Sequence, residues 1–256
     1  MEKPSNDPDS LTLLGHLDEL RSRIIFCLIY ILGTTLLALN FSKPLINLLK
    51  YPAIKAIPGF VLLKPTEIVS VYVKVALGAA VIISSPVIFY NLWKFIKPVI
   101  RKDLRASIIR WVISSCGLFV MGVLFMYMVA VPYGIAFLLK ITEGVASPMI
   151  SLNSYISLVL SIIFCGGFVF EIPVISGLLT SAGIITPHLM RSKRREAIFI
   201  LFVAAAVLTP TTDIFNMLLF AVPMIILYEA SIIVSAFIYR SRLKNKTEEI
   251  YAIENQ

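Results

Sequence analysis

Long apolar runs, separated by short polar segments, divide the chain along its whole length. The runs carry few charges and do not alternate between apolar and polar positions, as the strands of a membrane β-barrel do. Each run is long enough for a helix of at least three turns. The pattern therefore predicts six transmembrane helices, at about residues 24–41, 68–90, 106–134, 155–180, 197–210 and 214–239.

The last two runs are short for a bilayer. Only 12 apolar residues lie between Glu196 and Thr209. As a helix they would span about 18 Å, against a hydrocarbon core of about 30 Å. The sixth run has 14 uncharged residues before Tyr228 and Glu229. Either the membrane is thinner around these helices, or their polar ends extend them.

Four prolines lie deep in the apolar runs, at positions 86, 132, 173 and 223. Each removes a backbone hydrogen bond and tends to kink its helix, and neighbouring helices can satisfy the freed carbonyl groups. The expected fold is therefore an all-α integral membrane protein. Its six helices would form a curved bundle with several kinks and two short C-terminal spans.

Residues 11–23 precede the first run and are predicted to form an amphipathic helix on the cytoplasmic membrane surface. Their leucines recur at helical spacing, and the polar face carries His16, Glu19 and Arg23. Glu19 and Arg23 are four residues apart and can pair with each other. Alternatively, the Glu19 carboxylate accepts two hydrogen bonds from an arginine of a partner. The residues alone favour the simple pair.

Composition restricts the class of protein. Of the 256 residues, 58% are hydrophobic and 15% are charged. In an average soluble domain, roughly 45–50% of the residues are apolar and about 25% are charged. A soluble globular enzyme, a disordered chain and a collagen-like chain are thereby excluded. We expect residues 1–256 to form one polytopic membrane domain without a cleavable signal peptide, because the first ten residues lack a basic start.

The net charge of +8 indicates topology rather than nucleic-acid binding. Seventeen of the 23 lysines and arginines, including all ten arginines, fall on the side of the predicted membrane that holds both chain ends. By the positive-inside rule that side is the cytoplasm. We therefore expect a multi-pass protein of the cytoplasmic (inner) membrane with both termini inside, in contact with lipid and not with nucleic acid.

Residue types that enzymes and metal sites use are scarce. The two histidines lie at helix edges, the HExxH motif of zinc hydrolases is missing, and the three cysteines lie singly within apolar runs. Gly166 and Gly167 lie within a predicted helix and lack the following Lys-Ser/Thr of a phosphate loop, so they are expected to permit close helix packing. We expect no catalytic site, no metal and no cofactor.

Three acidic residues within the apolar runs are the remaining candidates for a functional role. Glu171 lies about two-thirds along the fourth run, where an acid costs roughly 2.5–3.5 kcal/mol of insertion free energy. It is either a polar point in a substrate groove or a partner in a structural hydrogen bond. Asp213 begins the sixth run and is most simply an N-cap. Glu229, near the cytoplasmic end of that run, can be an interfacial acid.

Five segments together resemble the TatC family, the multi-spanning subunit of the twin-arginine protein translocase. Each segment alone is a weak signal, but the set is specific because it occurs in family order among six apolar runs. The segments are His16–Arg23 (HLDELRSR), Ser85–Pro98 (SPVIFYNLWKFIKP), Phe168–Pro173 (FVFEIP), Leu208–Asp213 (LTPTTD) and Ala221–Glu229 (AVPMIILYE).

The resemblance implies a function in protein transport. The protein would bind twin-arginine signal peptides of folded proteins and take part in their translocation, driven by the proton-motive force. It would assemble with small single-span subunits of the TatA and TatB type, and form a homo-oligomer within a receptor complex. A chain without an ATPase motif is consistent with such an energy source.

The resemblance also assigns residues to signal-peptide binding. The family has an acidic residue in its first cytoplasmic loop, and here that position is Leu104. Either Asp103, one residue earlier, replaces it through a small backbone shift, or this chain relies on Glu19 alone. By matching position, the implied signal-binding residues are Glu19, Arg21, Phe95, Pro98 and Asp103.

Further residues match other functional positions of the family. Glu171 is the intramembrane glutamate of the groove, and Pro52 matches a proline of the first outer loop. The family's polar residue early in the sixth helix aligns with Met217, which Asn216 precedes. The implied surface for docking of single-span partners comprises Thr209, Asp213, Asn216 and Glu229.

Two other functions compete with this interpretation. A secondary transporter of a small solute would use Glu171 at a site near the membrane midplane, although the two halves of the chain show no inverted repeat. In a membrane scaffold without a transport role, Glu171 would be purely structural.

Overall fold

The computed structural model describes residues 13–54, 57, 59–96, 108–143, 149–209 and 213–254, and most of them are helical. The predicted all-α fold is confirmed. In the described part, the one extended pairing is a single bridge between Val61 and Ser151. The helices are α1 (Leu13–Leu39), α2 (Ser42–Lys50), α3 (Glu67–Ile96), α4 (Ile108–Phe125), α5 (Val131–Thr142), α6 (Leu152–Val169), α7 (Ile172–Ala182), α8 (Pro187–Ser192), α9 (Arg194–Leu208) and α10 (Ile214–Glu254).

Among the described residues, five helical segments are long and apolar enough to cross a membrane: Leu17–Leu39, Glu67–Ile96, Ile109–Thr142, Leu152–Ala182 and Ile214–Ser241. Helix α9, which corresponds to the fifth apolar run, has only 15 residues. Helix α10, which contains the sixth apolar run, has 41 residues. The helix itself is therefore long, and only its uninterrupted apolar stretch is short. The chain is thus a membrane protein whose fifth apolar run forms a helix of only 15 residues.

Helix α1 joins two segments that the sequence pattern had separated. The polar stretch before the first run and the run itself form one uninterrupted helix of 27 residues. Along its length α1 packs mainly against α3. Only 6% of its most apolar window is buried within the protein, so most of its apolar surface faces outward.

The prolines affect their helices in two different ways. Pro132 follows a π-helical turn at Met126–Ala130, where the Val131 amide bonds to a carbonyl five residues back. Pro173 stands at the start of α7, directly after the break that ends α6. Pro86 and Pro223 instead lie within the continuous helices α3 and α10. Proline therefore coincides with an interruption in the third and fourth runs only.

Glycines bring α4 and α6 into close contact. A Cβ atom at Gly122 would lie 2.7 Å from the Gly166 carbonyl oxygen, and one at Gly167 would lie 2.6 Å from the Phe119 ring. At Gly166 a Cβ atom would overlap the fully buried Met126 side chain. The expectation that Gly166 and Gly167 permit close helix packing is confirmed.

Helix α2 lies across one end of the bundle, here called the α2 end; the opposite end, where α1 begins, is the N-terminal end. The hydroxyls of Tyr127 and Tyr155 donate hydrogen bonds of 2.7 Å to the carbonyls of Leu48 and Leu49 in α2. Both tyrosines belong to membrane-crossing segments. These two bonds fix α2 to the bundle.

Candidate functional site

The N-terminal end carries a half-buried carboxylate. Arg23 Nε donates to Glu19 Oε1 at 3.1 Å, and Arg23 Nη2 contacts the same oxygen. Arg23 Nη1 also donates to the Asn91 carbonyl of α3 at 3.2 Å. The pair favoured from the sequence is therefore confirmed, and it is additionally tied to α3. Arg21 and Asp18 on the same helix are exposed.

Phe95 lies beside this ion pair. Together with Leu20, Arg23, Asn91 and Leu92 it lines a cavity of about 190 Å³ between α1 and α3. Arg23 thus contacts Glu19 and, like Phe95, lines this cavity. The structure brings Glu19 and Phe95 together around Arg23, whereas Pro98 and Asp103 lie outside the described residues.

Glu171 lies at the break between α6 and α7. Its amide reaches the Phe168 carbonyl only three residues back, at 3.1 Å, and Pro173 follows two residues later. The side chain is 6% exposed, and Oε1 has no hydrogen-bond partner in the described part of the chain. The carboxyl group interacts with Ser115 of α4, whose hydroxyl accepts a 3.0 Å hydrogen bond from Trp93 Nε1.

The Glu171 carboxyl group borders a cavity of about 310 Å³ between α3, α4 and the α6–α7 break. Its lining is otherwise apolar apart from Ser85, Ser115 and the Trp93 ring, and none of the described lining residues is basic. Ile88 and Leu92 of α3 line both this cavity and the one beside Phe95. The two cavities are therefore neighbours along α3.

The polar residues between α9 and α10 bind one another or their own helices. Asp213 Oδ2 accepts the Asn216 backbone amide at 2.7 Å, and Oδ1 accepts its side-chain amide at 2.9 Å, which confirms the predicted N-cap. Asn216 is buried against Gly134 of α5, where a Cβ atom would lie 2.7 Å from Oδ1. Thr209 is buried and donates to the Ala205 carbonyl at 3.0 Å.

Glu229 lies far from these residues, toward the N-terminal end of the bundle. Its Oε2 accepts a 2.8 Å hydrogen bond from Arg194 Nη2 at the start of α9, and both side chains are exposed. Pro52 is half-buried in the turn after α2 and borders a cavity of about 370 Å³ that includes Tyr127. The structure therefore does not gather the four implied docking residues into one cluster.

Comparison with known proteins identifies the family. The family model described as "Sec-independent protein translocase protein (TatC)" matches residues 15–223, most of the chain. The chain belongs to the TatC family. The TatC protein of Aquifex aeolicus (strain VF5) is 36% identical over 91% of this chain and 98% of its own length. The TatC protein of Escherichia coli (strain K12) is 32% identical over 94% and 93%.

Solved structures give the same assignment. A crystal structure titled as the twin arginine translocase receptor TatC superposes with a TM-score of 0.76 at 36% identity, covering 87% of this chain and 99% of its own. A second, in the detergent DDM, gives a TM-score of 0.77 at 37% identity. This TatC-family chain is therefore a membrane component of a Sec-independent protein translocase and not an enzyme.

Two of the polar contacts that sequence reasoning missed in this TatC-family chain involve residues of α3. One is the Trp93–Ser115 hydrogen bond beside Glu171. The other is made by Lys74, whose Nζ donates to Asn153 Oδ1 and to Ser157 Oγ, each at 2.8 Å. A lysine within an apolar run was a signal for the second, but its partners lie 79 and 83 residues away in the sequence.

Proposed function

We propose that this chain is the subunit that binds twin-arginine signal peptides at its N-terminal end. The observation that carries the proposal is the Glu19 carboxylate, which is half-buried and oriented by Arg23, itself bonded to α3. Arg21 and Phe95, together with Pro98 and Asp103, which follow α3 in the sequence, complete the proposed site.

A carboxylate is the side-chain group that can bind a pair of arginines on this basic surface. Most basic residues of the chain fall on the side that holds both termini, and a cationic face repels a cationic peptide. A carboxylate accepts two parallel hydrogen bonds from a guanidinium group, which a lysine ammonium cannot supply. Arg23 already binds Glu19, with Nε and Nη2 both directed at Oε1, and we propose that a signal-peptide arginine shares or takes over that position.

The two neighbouring cavities extend the proposed site. A signal peptide bound near Glu19 and Phe95 would place its apolar segment along Ile88 and Leu92. Beyond them it would meet Glu171, whose unpartnered Oε1 can accept a hydrogen bond from a polar group of the peptide. We propose that Glu171 forms the inner limit of this groove.

The proposed topology places both termini in the cytoplasm, with six spans in the inner membrane. The distribution of basic residues supports this orientation, and α9 would be the short fifth span. The chain lacks a nucleotide-binding motif, which is consistent with translocation driven by the proton-motive force.

TatA- and TatB-type single-span subunits are the proposed partners, within a receptor complex that holds several copies of this chain. Helix α9 supports this proposal because Ala205 alone of its described residues is fully buried, and Phe199, Ile200, Val203 and Val207 point outward. Thr209, Asp213 and Asn216 would shape the α2 end of that surface, and Glu229 would fix its other end through Arg194.

Signal-peptide binding is tested by comparing Glu19→Gln with Asp18→Asn in the full chain in nanodiscs. A labelled twin-arginine peptide is titrated beside a twin-lysine version at two salt concentrations. We expect a preference for arginine in the wild type and about a tenfold loss of affinity in Glu19→Gln, since hydrogen bonds to charged groups are the stronger ones. Asp18→Asn, which alters an exposed neighbour, is expected to keep the affinity.

Two outcomes would count against the proposed site. Equal losses in both variants would show that Glu19 is not the specific acceptor. Equal and salt-sensitive binding of both peptides would show that only surface charge acts, and the solute-transporter and scaffold functions would then be preferred.

A further inference from the structure

Lys74 is a basic residue within the apolar helix α3, and its charge has no carboxylate partner among the described residues. Its Nζ donates to Asn153 Oδ1 and to Ser157 Oγ of α6, each at 2.8 Å. Both acceptors are neutral. A half-buried ammonium group that is held only by neutral groups loses part of its hydration without a compensating anion.

Lys74 lies in the first third of α3, toward the α2 end of the bundle. Lys74 is seven residues from the start of α3 at Glu67, about 10 Å along the axis. Side chains tilt toward the N-terminus of their helix, which for α3 is the α2 end. Asn153, its partner, is the second residue of α6. A lysine at this depth extends its charge to the membrane interface.

The hydrogen bonds of this cluster leave several N–H donors available beside the charge. Ser157 Oγ donates to the Asn153 backbone carbonyl at 2.8 Å and accepts from Lys74. Asn153 Oδ1 is used by Lys74, while its side-chain amide makes no hydrogen bond within the described residues. One N–H of Lys74 and the Asn153 amide therefore remain. These three N–H donors around a positive charge suit an anion with several oxygen acceptors.

The surface beside Lys74 on α3 is apolar and exposed. Val69, Val73 and Leu77 have between 46% and 62% of their surface accessible. In a membrane-crossing helix such residues contact acyl chains. An ammonium group at headgroup depth beside an acyl-chain surface matches the two ends of a phospholipid.

We propose that Lys74, Asn153 and Ser157 form a binding site for the phosphate of an anionic phospholipid, in the leaflet at the α2 end. The lipid phosphate accepts the remaining donors of Lys74 and Asn153, and its acyl chains lie along Val73 and Leu77. The site joins α3 to α6 and does not depend on signal-peptide binding.

Native mass spectrometry of the full chain in detergent tests the proposal. Phosphatidylglycerol and phosphatidylcholine are titrated against the wild type, Lys74→Gln, Lys74→Arg and Lys43→Gln. We expect the wild type to prefer phosphatidylglycerol and Lys74→Gln to bind it about tenfold more weakly. Lys74→Arg keeps the charge and is expected to retain binding. Lys43→Gln removes an exposed lysine of α2 and is expected to leave it unchanged.

Several results would overturn the proposal. Unchanged phosphatidylglycerol binding in Lys74→Gln would exclude this site, and equal losses in Lys74→Gln and Lys43→Gln would indicate unspecific attraction. Displacement of the lipid by millimolar inorganic phosphate would identify a free-phosphate site instead. Should Lys74→Gln lose a co-purified single-span protein while lipid binding persists, the anion would be a carboxylate of a protein partner.

Discussion

Glu171 shows how the backbone can direct a side chain into a cavity while one of its carboxyl oxygens has no hydrogen-bond partner among the described residues. Pro173 cannot donate a hydrogen bond, and the chain turns at Phe170 and Glu171 before α7 begins. The turn directs the carboxyl group into the cavity, where Ser115 is its interacting side chain. A buried carboxyl oxygen without a hydrogen-bond partner destabilises the folded protein. We therefore expect Glu171 to contribute to function rather than to stability.

Replacing Glu171 tests this distinction. We expect Glu171→Gln to keep the thermal midpoint of the purified protein within about 3 °C of the wild type, because no hydrogen bond to Oε1 is lost. Transport of a twin-arginine cargo into membrane vesicles is expected to fall. The measurements are thermal unfolding in detergent and cargo protection from protease.

Ser115→Ala is the control for Glu171→Gln. It removes the acceptor of the Trp93 N–H and is expected to lower the thermal midpoint, because a buried donor is left without a partner. If Glu171→Gln instead unfolds in detergent, its role is structural and the groove loses its proposed inner limit.

At the scale of elements, the apolar pattern predicted helices well and their contacts poorly. In a bilayer each segment must satisfy its own backbone groups, so a long apolar run has few alternatives to a helix. Which faces meet depends on shape: Gly122 meets Gly166 across α4 and α6, and only Gly166 and Gly167 gave a sequence signal. The pattern also did not predict the π turn before Pro132 or the continuity of α1.

The α4–α6 contact allows a matched test on one helix. A Cβ atom at Gly122 would lie 2.7 Å from the Gly166 carbonyl oxygen, a backbone atom that cannot rotate away. We expect Gly122→Ala to lower the free energy of unfolding by about 1–3 kcal/mol. Gly117→Ala, five residues earlier in α4, meets nothing within 4 Å and is expected to be neutral or slightly stabilising.

Unfolding of both glycine variants is followed by circular dichroism during titration with a denaturing detergent. Equal stability of Gly122→Ala and Gly117→Ala would show that the two helices can separate without cost. Close packing through the glycines would then not contribute to the stability of the bundle.

At the scale of the whole molecule, its two ends differ in charge and in structure. The α2 end is closed by α2 and by hydrogen bonds between distant segments, among them the pairing of Val61 with Ile150 and Leu152. The N-terminal end carries the Glu19–Arg23 and Arg194–Glu229 pairs. Basic residue counts predict which end faces the cytoplasm, whereas no sequence pattern predicts that loops 90 residues apart meet.

The orientation can be measured with single cysteines in a variant whose three native cysteines are replaced. Lys43→Cys lies on the exposed face of α2, and Arg195→Cys lies on the exposed start of α9 at the opposite end. We expect a membrane-impermeant thiol reagent to label Lys43→Cys in intact cells, and Arg195→Cys only after the membrane is opened, because arginine-rich segments remain in the cytoplasm. The reverse labelling would place the Glu19 site outside the cell, where it could not receive signal peptides of proteins that fold in the cytoplasm.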